Sequence, residues 1–366
     1  MDKLQKAIEN TICAVKPLNE AEIKRAQAVQ GSLVKPPKSL GRLEDLSVQL
    51  AGIAGFDADI SKKRLLVFAS DNGVVEEGVS SAPQSVTLAQ TLNLTRGKTG
   101  AATLSRFYNN ELYVYDVGVN AEIIDDKVIG RKIAFGTKNI AKEPAMTREE
   151  AMRAMLVGIE AAVSAKTDEV SVIGVGEMGI GNTTTSSAVL SALTGAKVSD
   201  VTGRGGGIND ASYAKKLKII ESALERYSPD RNDPVDVLCK VGGFDICAMT
   251  GAYLAGAAEG MAVVIDGFIS IVAALCAARL CPECKKYMIA SHESYEIGYA
   301  IAMKELGLKP LFNLEMRLGE GSGCPIAFNM IDAAWFVLHN MASFKDAEID
   351  DEYLDEIRNT DAFSVK

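Results

Sequence analysis

Histidine is almost missing from this chain: 366 residues contain only His292 and His339. A Ser-His-Asp hydrolase has little material here, and no Gly-x-Ser-x-Gly elbow occurs to begin one. Positive charge is not in excess. The 39 Lys and Arg against 48 Asp and Glu leave a net charge of −9, the opposite of the basic stripe that nucleic-acid binders carry. No uninterrupted apolar run reaches bilayer length. The most apolar region, 252–276, is broken by Glu259 and Asp266 and predicts a buried helix, a buried strand and another helix rather than a membrane span. No complete Gly-x-x-x-x-Gly-Lys-Ser/Thr run occurs, which removes the usual kinase and ATPase reading. The opening Met1-Asp2-Lys3-Leu4-Gln5 lacks a leader pattern, so a cytoplasmic protein with reduced cysteines is expected. Of seven cysteines, Cys281 and Cys284 have metal or redox spacing, but no second pair or nearby histidine pattern completes a zinc site. No metal and no cofactor is expected.

What is present is a rhythm of short apolar runs. The first fifty residues read as amphipathic helix, interrupted at 34–42. Leu43, Leu46, Leu50 and Ile53 then recur at helical spacing, with Ser39 a plausible cap. From there strands are predicted at 65–69, 112–117, 170–175, 235–241, 262–265 and 287–290, with helix-length segments between most of them. Such alternation indicates an α/β fold with a parallel sheet covered on both faces. Ligands of these sheets bind beyond the carboxyl ends of the strands. Those ends carry Asp71, Asp116, Glu177, Asp245, Asp266 and His292, which points to one cleft. The acidic stretch 346–356 reads as a solvated helix face.

Three segments carry candidate chemistry. Gly174-Val175-Gly176-Glu177-Met178-Gly179 matches the dinucleotide fingerprint by letter, with Asp200 where a ribose-binding acid would be sought. Glu177 inside that turn would repel a pyrophosphate, however. The continuation 180–187, rich in hydroxyls, suits a single phosphate at a helix start, or simply caps that helix. The loop Thr202-Gly203-Arg204-Gly205-Gly206-Gly207 could cradle phosphate through its N–H groups or serve as a flexible turn. Gly319-Glu320-Gly321 sets a carboxylate between glycines, either on the surface or facing a cleft where burial would suit it to take a proton. Chemistry therefore falls to carboxylates, led by Glu320 and Glu177, with Asp71, Asp245 and Asp266 behind them.

Taken together, the runs at 35–44, 71–79, 95–100, 176–184, 240–245, 266–268, 291–292 and 315–323 resemble the nicotinate-nucleotide–dimethylbenzimidazole phosphoribosyltransferase family. They occur in the family's order and span nearly the whole chain. The resemblance implies a Rossmann-like large domain at 61–324. It also implies a small helical domain built from both chain ends, 1–60 and 325–366. It implies transfer of phosphoribosyl from nicotinate mononucleotide to an aromatic lower-ligand base in cobalamin biosynthesis, with Glu320 as general base and Glu177 near the ribose and nicotinate. Gly179, Asn182, Thr183, Gly205 and Gly267 would line the nucleotide, and Lys216 and Ser294 would bind its phosphate. Ala82, Gln90 and Leu318 would meet the base.

The chain departs from the family pattern at Ala82, where a serine hydroxyl is usual, and at Asn72, where Asp-His-Gly is more usual. A missing pocket hydroxyl favours a base that does not need it. The resemblance extends to relatives that act on phenol or p-cresol as heterodimers, so the expected assembly is a homodimer or a heterodimer. Two other readings stand beside the enzyme: a non-catalytic partner subunit, and a dinucleotide-dependent oxidoreductase built on 174–179.

Overall fold

A computed structural model describes residues 2–354 and Ile357. Six strands form one parallel sheet: β1 (Lys63–Ser70), β2 (Glu111–Gly118), β3 (Val128–Gly130), β4 (Val172–Met178), β5 (Ala262–Ile265) and β6 (Met288–Ala290). Their order is β3-β2-β1-β4-β5-β6, with every pairing parallel. The chain leaves β1 toward one edge and returns at β4 toward the other. This reversal opens a crevice above the carboxyl ends of β1 and β4.

Successive side chains of a strand face opposite ways, and β1 shows why helices must cover both faces. Leu66 and Phe68 join one core, with the helices Arg148–Thr167, Asn182–Thr194, Phe244–Ala258 and Phe268–Leu280. Leu65, Val67 and Ala69 join the other, with Arg42–Ala54 and Gly323–Asn340. On the first face two glycines let helices touch at backbone distance. A Cβ at Gly158 would lie 1.7 Å from the Ala248 carbonyl oxygen, and one at Gly251 would lie 1.9 Å from that of Met155. The helices Glu20–Ser32, Arg42–Ala54 and Gly323–Asn340 also share a small separate core of Ala26, Ala51 and Leu338. The first helix, Asp2–Ala14, packs instead on Arg148–Thr167 and Phe244–Ala258.

Several expectations need correction. Residues 235–241 form the helix Pro234–Val241, not a strand. An unbroken apolar run fits either element, and the deciding signal lies just upstream. Asp233 Oδ1 accepts the N–H groups of Val235 (3.0 Å) and Asp236 (3.2 Å), and Pro234 takes the first helical position, where its missing N–H costs nothing. Ser39 caps no helix. The helix starts at Arg42, after Gly41. Glu44 reaches back to the Leu40 N–H (2.9 Å) while pairing with buried Lys35 (2.8 Å). The β3 strand is an addition to the expected six: it is as short as β6, and no helix separates it from β2 to mark it as a further strand of the alternation. The acidic stretch at 346–351 turns rather than forming a helix. Asp346 takes the Ser343 hydroxyl (2.6 Å), a local bond that competes with helix, and only Glu352–Leu354 forms a short 3-10 turn. Of the 325–366 segment assigned to the small domain, residues 355, 356 and 358–366 lie outside the described residues.

Candidate active site

Three of the expected strand-end residues, Glu177, Asp266 and His292, meet in one cleft of about 300 Å³. It is lined by every residue that the family resemblance implies for the site except Lys216, and it brings Glu177 and Glu320 together with Ala82, Gln90 and Thr183. Lys216 stands directly behind that lining.

Glu177 is the penultimate residue of β4, and the glycines before it shape the site differently from a dinucleotide turn. Gly174 and Gly176 lie within the strand. A Cβ on Gly176 would come 2.6 Å from the Gly321 backbone, and one on Gly174 the same distance from the Cys324 Cβ. The bare strand therefore lets the 319–324 segment lie directly on the sheet.

That segment holds Glu320 in a costly backbone. Gly319, Glu320 and Gly321 have φ of 83°, 64° and 82°, a left-handed run in which Glu320 alone bears a side chain. Asp266, at the end of β5, holds the run in place. Its oxygens accept the N–H of Gly321 (3.1 Å) and of Gly323 (2.7 Å). Glu320 is thereby only 5% exposed, and its carboxylate accepts the Ala101 N–H at 3.2 Å and the Gln90 amide at 3.5 Å. Burial raises its proton affinity above the ordinary carboxylate range, and the Ala101 N–H and Thr99 hydroxyl pull it partly back. A buried carboxylate with an exposed approach from the cleft is the arrangement of a general base.

A helix start and a glycine loop face this carboxylate within the same lining. The helix Asn182–Thr194 begins after Gly181 (φ 94°), placing Thr183 in the cleft. The loop at 203–207 places Gly205 and Gly206 there. Behind them the helix Asp210–Tyr227 sends in Lys216, fully buried, whose Nζ donates to Thr183 Oγ1 (2.9 Å) and the Gly203 carbonyl (3.1 Å). Burial lowers its pKa to about 8, against an opposing pull from Glu296. A buried cation with only neutral hydrogen-bond partners is suited to an incoming anion. Gly267 and Ser294 complete this part of the lining.

Two charged lining residues, Glu296 and Arg317, were not singled out from the sequence. Glu296 stands against the glycine loop, where a Cβ on Gly203 would meet its carboxylate at 1.9 Å, and Arg317 lies next to Leu318. Glu296 follows the β6 strand end by six residues, so extending the strand-end rule along that loop would have found it. Asp71 and Asp245 sit behind the cleft, and Asp200 does not line it. His292 does line it, with its ring 3.0 Å from the Ser291 hydroxyl. His339 packs between Trp335 and Phe56 and bonds their carbonyl oxygens. Cys281 and Cys284 are free, buried and outside the lining.

A family model described as phosphoribosyltransferase matches residues 15–349. A Clostridium perfringens protein named nicotinate-nucleotide–dimethylbenzimidazole phosphoribosyltransferase is 50% identical over 359 residues, 98% of this chain and 99% of its own. A Ruminiclostridium cellulolyticum protein of the same name is 47% identical, over 93% and 97% respectively. The crystal structure of CobT from Thermus thermophilus superposes with a TM-score of 0.87 at 38% identity, covering 90% of this chain and 99% of that one. The 50% identity runs end to end, the solved fold is shared, and the chain belongs to the nicotinate-nucleotide–dimethylbenzimidazole phosphoribosyltransferase family of pentosyltransferases.

Proposed function

We propose that this protein moves the phosphoribosyl group of nicotinate mononucleotide to an aromatic lower-ligand base, 5,6-dimethylbenzimidazole or a related benzimidazole or purine, in cobalamin biosynthesis. The observation that carries the reading is Glu320: a buried carboxylate of raised proton affinity, held by Asp266 in the same cleft as Lys216's phosphate-suited partners.

The chemistry follows from the charges. A ring nitrogen of the acceptor attacks C1′ while the bond from C1′ to the pyridinium nitrogen breaks. That electron pair neutralises the pyridinium ring, so nicotinate leaves without needing an acid. The acceptor must lose its other ring N–H proton, and Glu320 receives it. Attack from the face opposite the leaving group inverts C1′ and gives the α-riboside phosphate. Thr183, Asn182, Gly179, Gly205, Gly267 and Ser294 hold the nucleotide, with Lys216 countering its phosphate. Leu318 and Gln90 meet the base. Gln90's oxygen accepts the Asn93 amide (3.0 Å), which directs its own amide toward Glu320. The division into a large domain at 61–324 and a small one from both ends belongs to the same reading, and the separate Ala26–Ala51–Leu338 core supports it. A cytoplasmic location and a homodimer are further parts of this proposal. Among the described residues no helix is long and apolar enough to cross a membrane.

Ala82 favours a second acceptor class, phenol or p-cresol, taken by a heterodimer with a related subunit or by a partner chain for which this one is non-catalytic. Incubation with nicotinate mononucleotide and 5,6-dimethylbenzimidazole, adenine or p-cresol separates these readings by which acceptor releases nicotinate. Release with none, even beside a related subunit, overturns the transferase reading. Ala82→Ser tests the pocket directly. One regained hydrogen bond is expected to raise kcat/KM for 5,6-dimethylbenzimidazole by up to about tenfold, with p-cresol little changed. An equal effect on both acceptors would mean that this side chain does not read the base.

A further inference from the structure

Glu177 and Asp245 lie either side of a single amide. Asn182 Nδ2 donates to Glu177 Oε2 and to Asp245 Oδ2, the latter at 3.0 Å. Both carboxylates are buried, at 6% and 0% exposure, and among the described residues neither forms an ion pair. The charged groups that face the pair from neighbouring elements are also acidic. Asp71, after β1, acts on Asp245, and Asp266, after β5, acts on Glu177. The basic side chains nearby are engaged elsewhere: Lys132 pairs with Asp116 (2.7 Å), and the His292 ring lies 3.8 Å from Asp266. The remaining neighbours are neutral, with Asn72 Oδ1 taking the Thr185 hydroxyl (3.2 Å) and the Glu320 N–H reaching Glu177 at 3.4 Å. Two full negative charges at such a place repel one another and are poorly solvated, which favours a proton on one of them.

We propose that Asp245 is a positioning residue that keeps a proton on the Glu177–Asp245 pair in the free protein, and that this proton leaves when a cationic aromatic ring enters the cleft. The inference rests on the nucleotide reading above. The pyridinium of nicotinate mononucleotide is such a ring. Glu177 lines the cleft that receives it, while Asp245 stands behind and acts only through Asn182 and Glu177. Once the bond from C1′ breaks, the electron pair neutralises the ring nitrogen, and the pyridinium charge no longer opposes reprotonation. The binding step therefore balances as protonated enzyme plus nucleotide giving the complex plus one free proton. Burial, and then Asp245, push Glu177 above the ordinary carboxylate range, in agreement with this geometry. The affinity for the nucleotide should accordingly rise with pH until the free pair has lost its proton, and level off beyond.

Calorimetry of the full chain in buffers of different ionisation enthalpy, without acceptor, counts the protons. Ribose 5-phosphate carries the phosphate but no pyridinium, so it isolates whatever Lys216 contributes. Nicotinate mononucleotide is expected to release about one proton more than ribose 5-phosphate at pH values below the pair's upper titration. In Asp245→Asn the pH midpoint of that extra release should fall by about one unit, since a like charge has gone. In Glu177→Gln the extra release should vanish. Equal release for the two ligands in the unaltered protein, or an unmoved midpoint in a folded Asp245→Asn protein, overturns the inference. Failure of nicotinate mononucleotide to bind at all removes the nucleotide reading and the inference together.

Discussion

Glu320→Gln is expected to lower kcat with 5,6-dimethylbenzimidazole by about 10²- to 10⁴-fold, the range associated with loss of a positioned general base. The KM for nicotinate mononucleotide should stay within a few-fold, because the residues proposed to hold the nucleotide are others. The replacement keeps the local structure: a glutamine oxygen can still accept the Ala101 N–H, and Asp266 still holds Gly321 and Gly323. Two further readouts separate a lost base from a distorted loop. Burial raises the Glu320 carboxyl above the ordinary range, so the unaltered enzyme should gain activity with rising pH through that raised value. The acidic limb should disappear in the variant. More acidic acceptors, which surrender the ring proton readily, should suffer less than 5,6-dimethylbenzimidazole does. A variant that loses activity equally with all acceptors and retains the acidic limb would place the base elsewhere.

Lys216→Met should separate binding from stability in opposite directions. A charge-assisted hydrogen bond to phosphate contributes about 1.5–3 kcal/mol, so KM for nicotinate mononucleotide should rise by about 10- to 10²-fold. Stability of the free protein should move the other way. The folded-state pKa of Lys216 is lowered to about 8 from an ordinary 10.5, chiefly by burial, so the folded state disfavours its charge. The unfolded chain therefore binds the extra proton between those two values, and the penalty is complete below about pH 8. Removing the ammonium is expected to stabilise the protein by about 1–3 kcal/mol at pH 7, less whatever the Gly203 carbonyl loses as an acceptor. That gain should shrink as pH rises from 8 toward 10.5. Denaturant melts at two pH values check it. A variant destabilised at neutral pH with an unchanged KM would make Lys216 a structural residue.

The same local rules that worked for most of the chain failed where tertiary context decided. Strands at 65–69, 112–117 and 262–265 were legible because short apolar runs ended in serine, glycine or aspartate. The run at 235–241 looked identical and is a helix, because Asp233 and Pro234 cap it. Five of the strand predictions thus held in type, and the sixth needed a capping signal rather than a hydrophobic one. The fingerprint at 174–179 was legible as glycines but not as to their use. Only the fold shows that Gly174 and Gly176 clear space for Cys324 and Gly321, residues about 145 positions later in the chain.

The sequence by itself determined the class of fold, the strand-end chemistry and the family, since apolar period, glycine placement and motif order are properties of the chain alone. It also pointed to much of the cleft, including Glu177, Asp266 and His292, because parallel strands bring their carboxyl ends to one side. What the tertiary structure decided is how those residues act on one another. Glu320 is a buried carboxylate rather than a surface one because Asp266, 54 positions before it, accepts the N–H groups of the two glycines that follow it. Glu177 faces Asp245 through Asn182, and Lys216 lies buried behind Thr183, by contacts that no local pattern encodes. Proton affinity depends on burial and on neighbouring charge, and both exist only once distant segments have packed together.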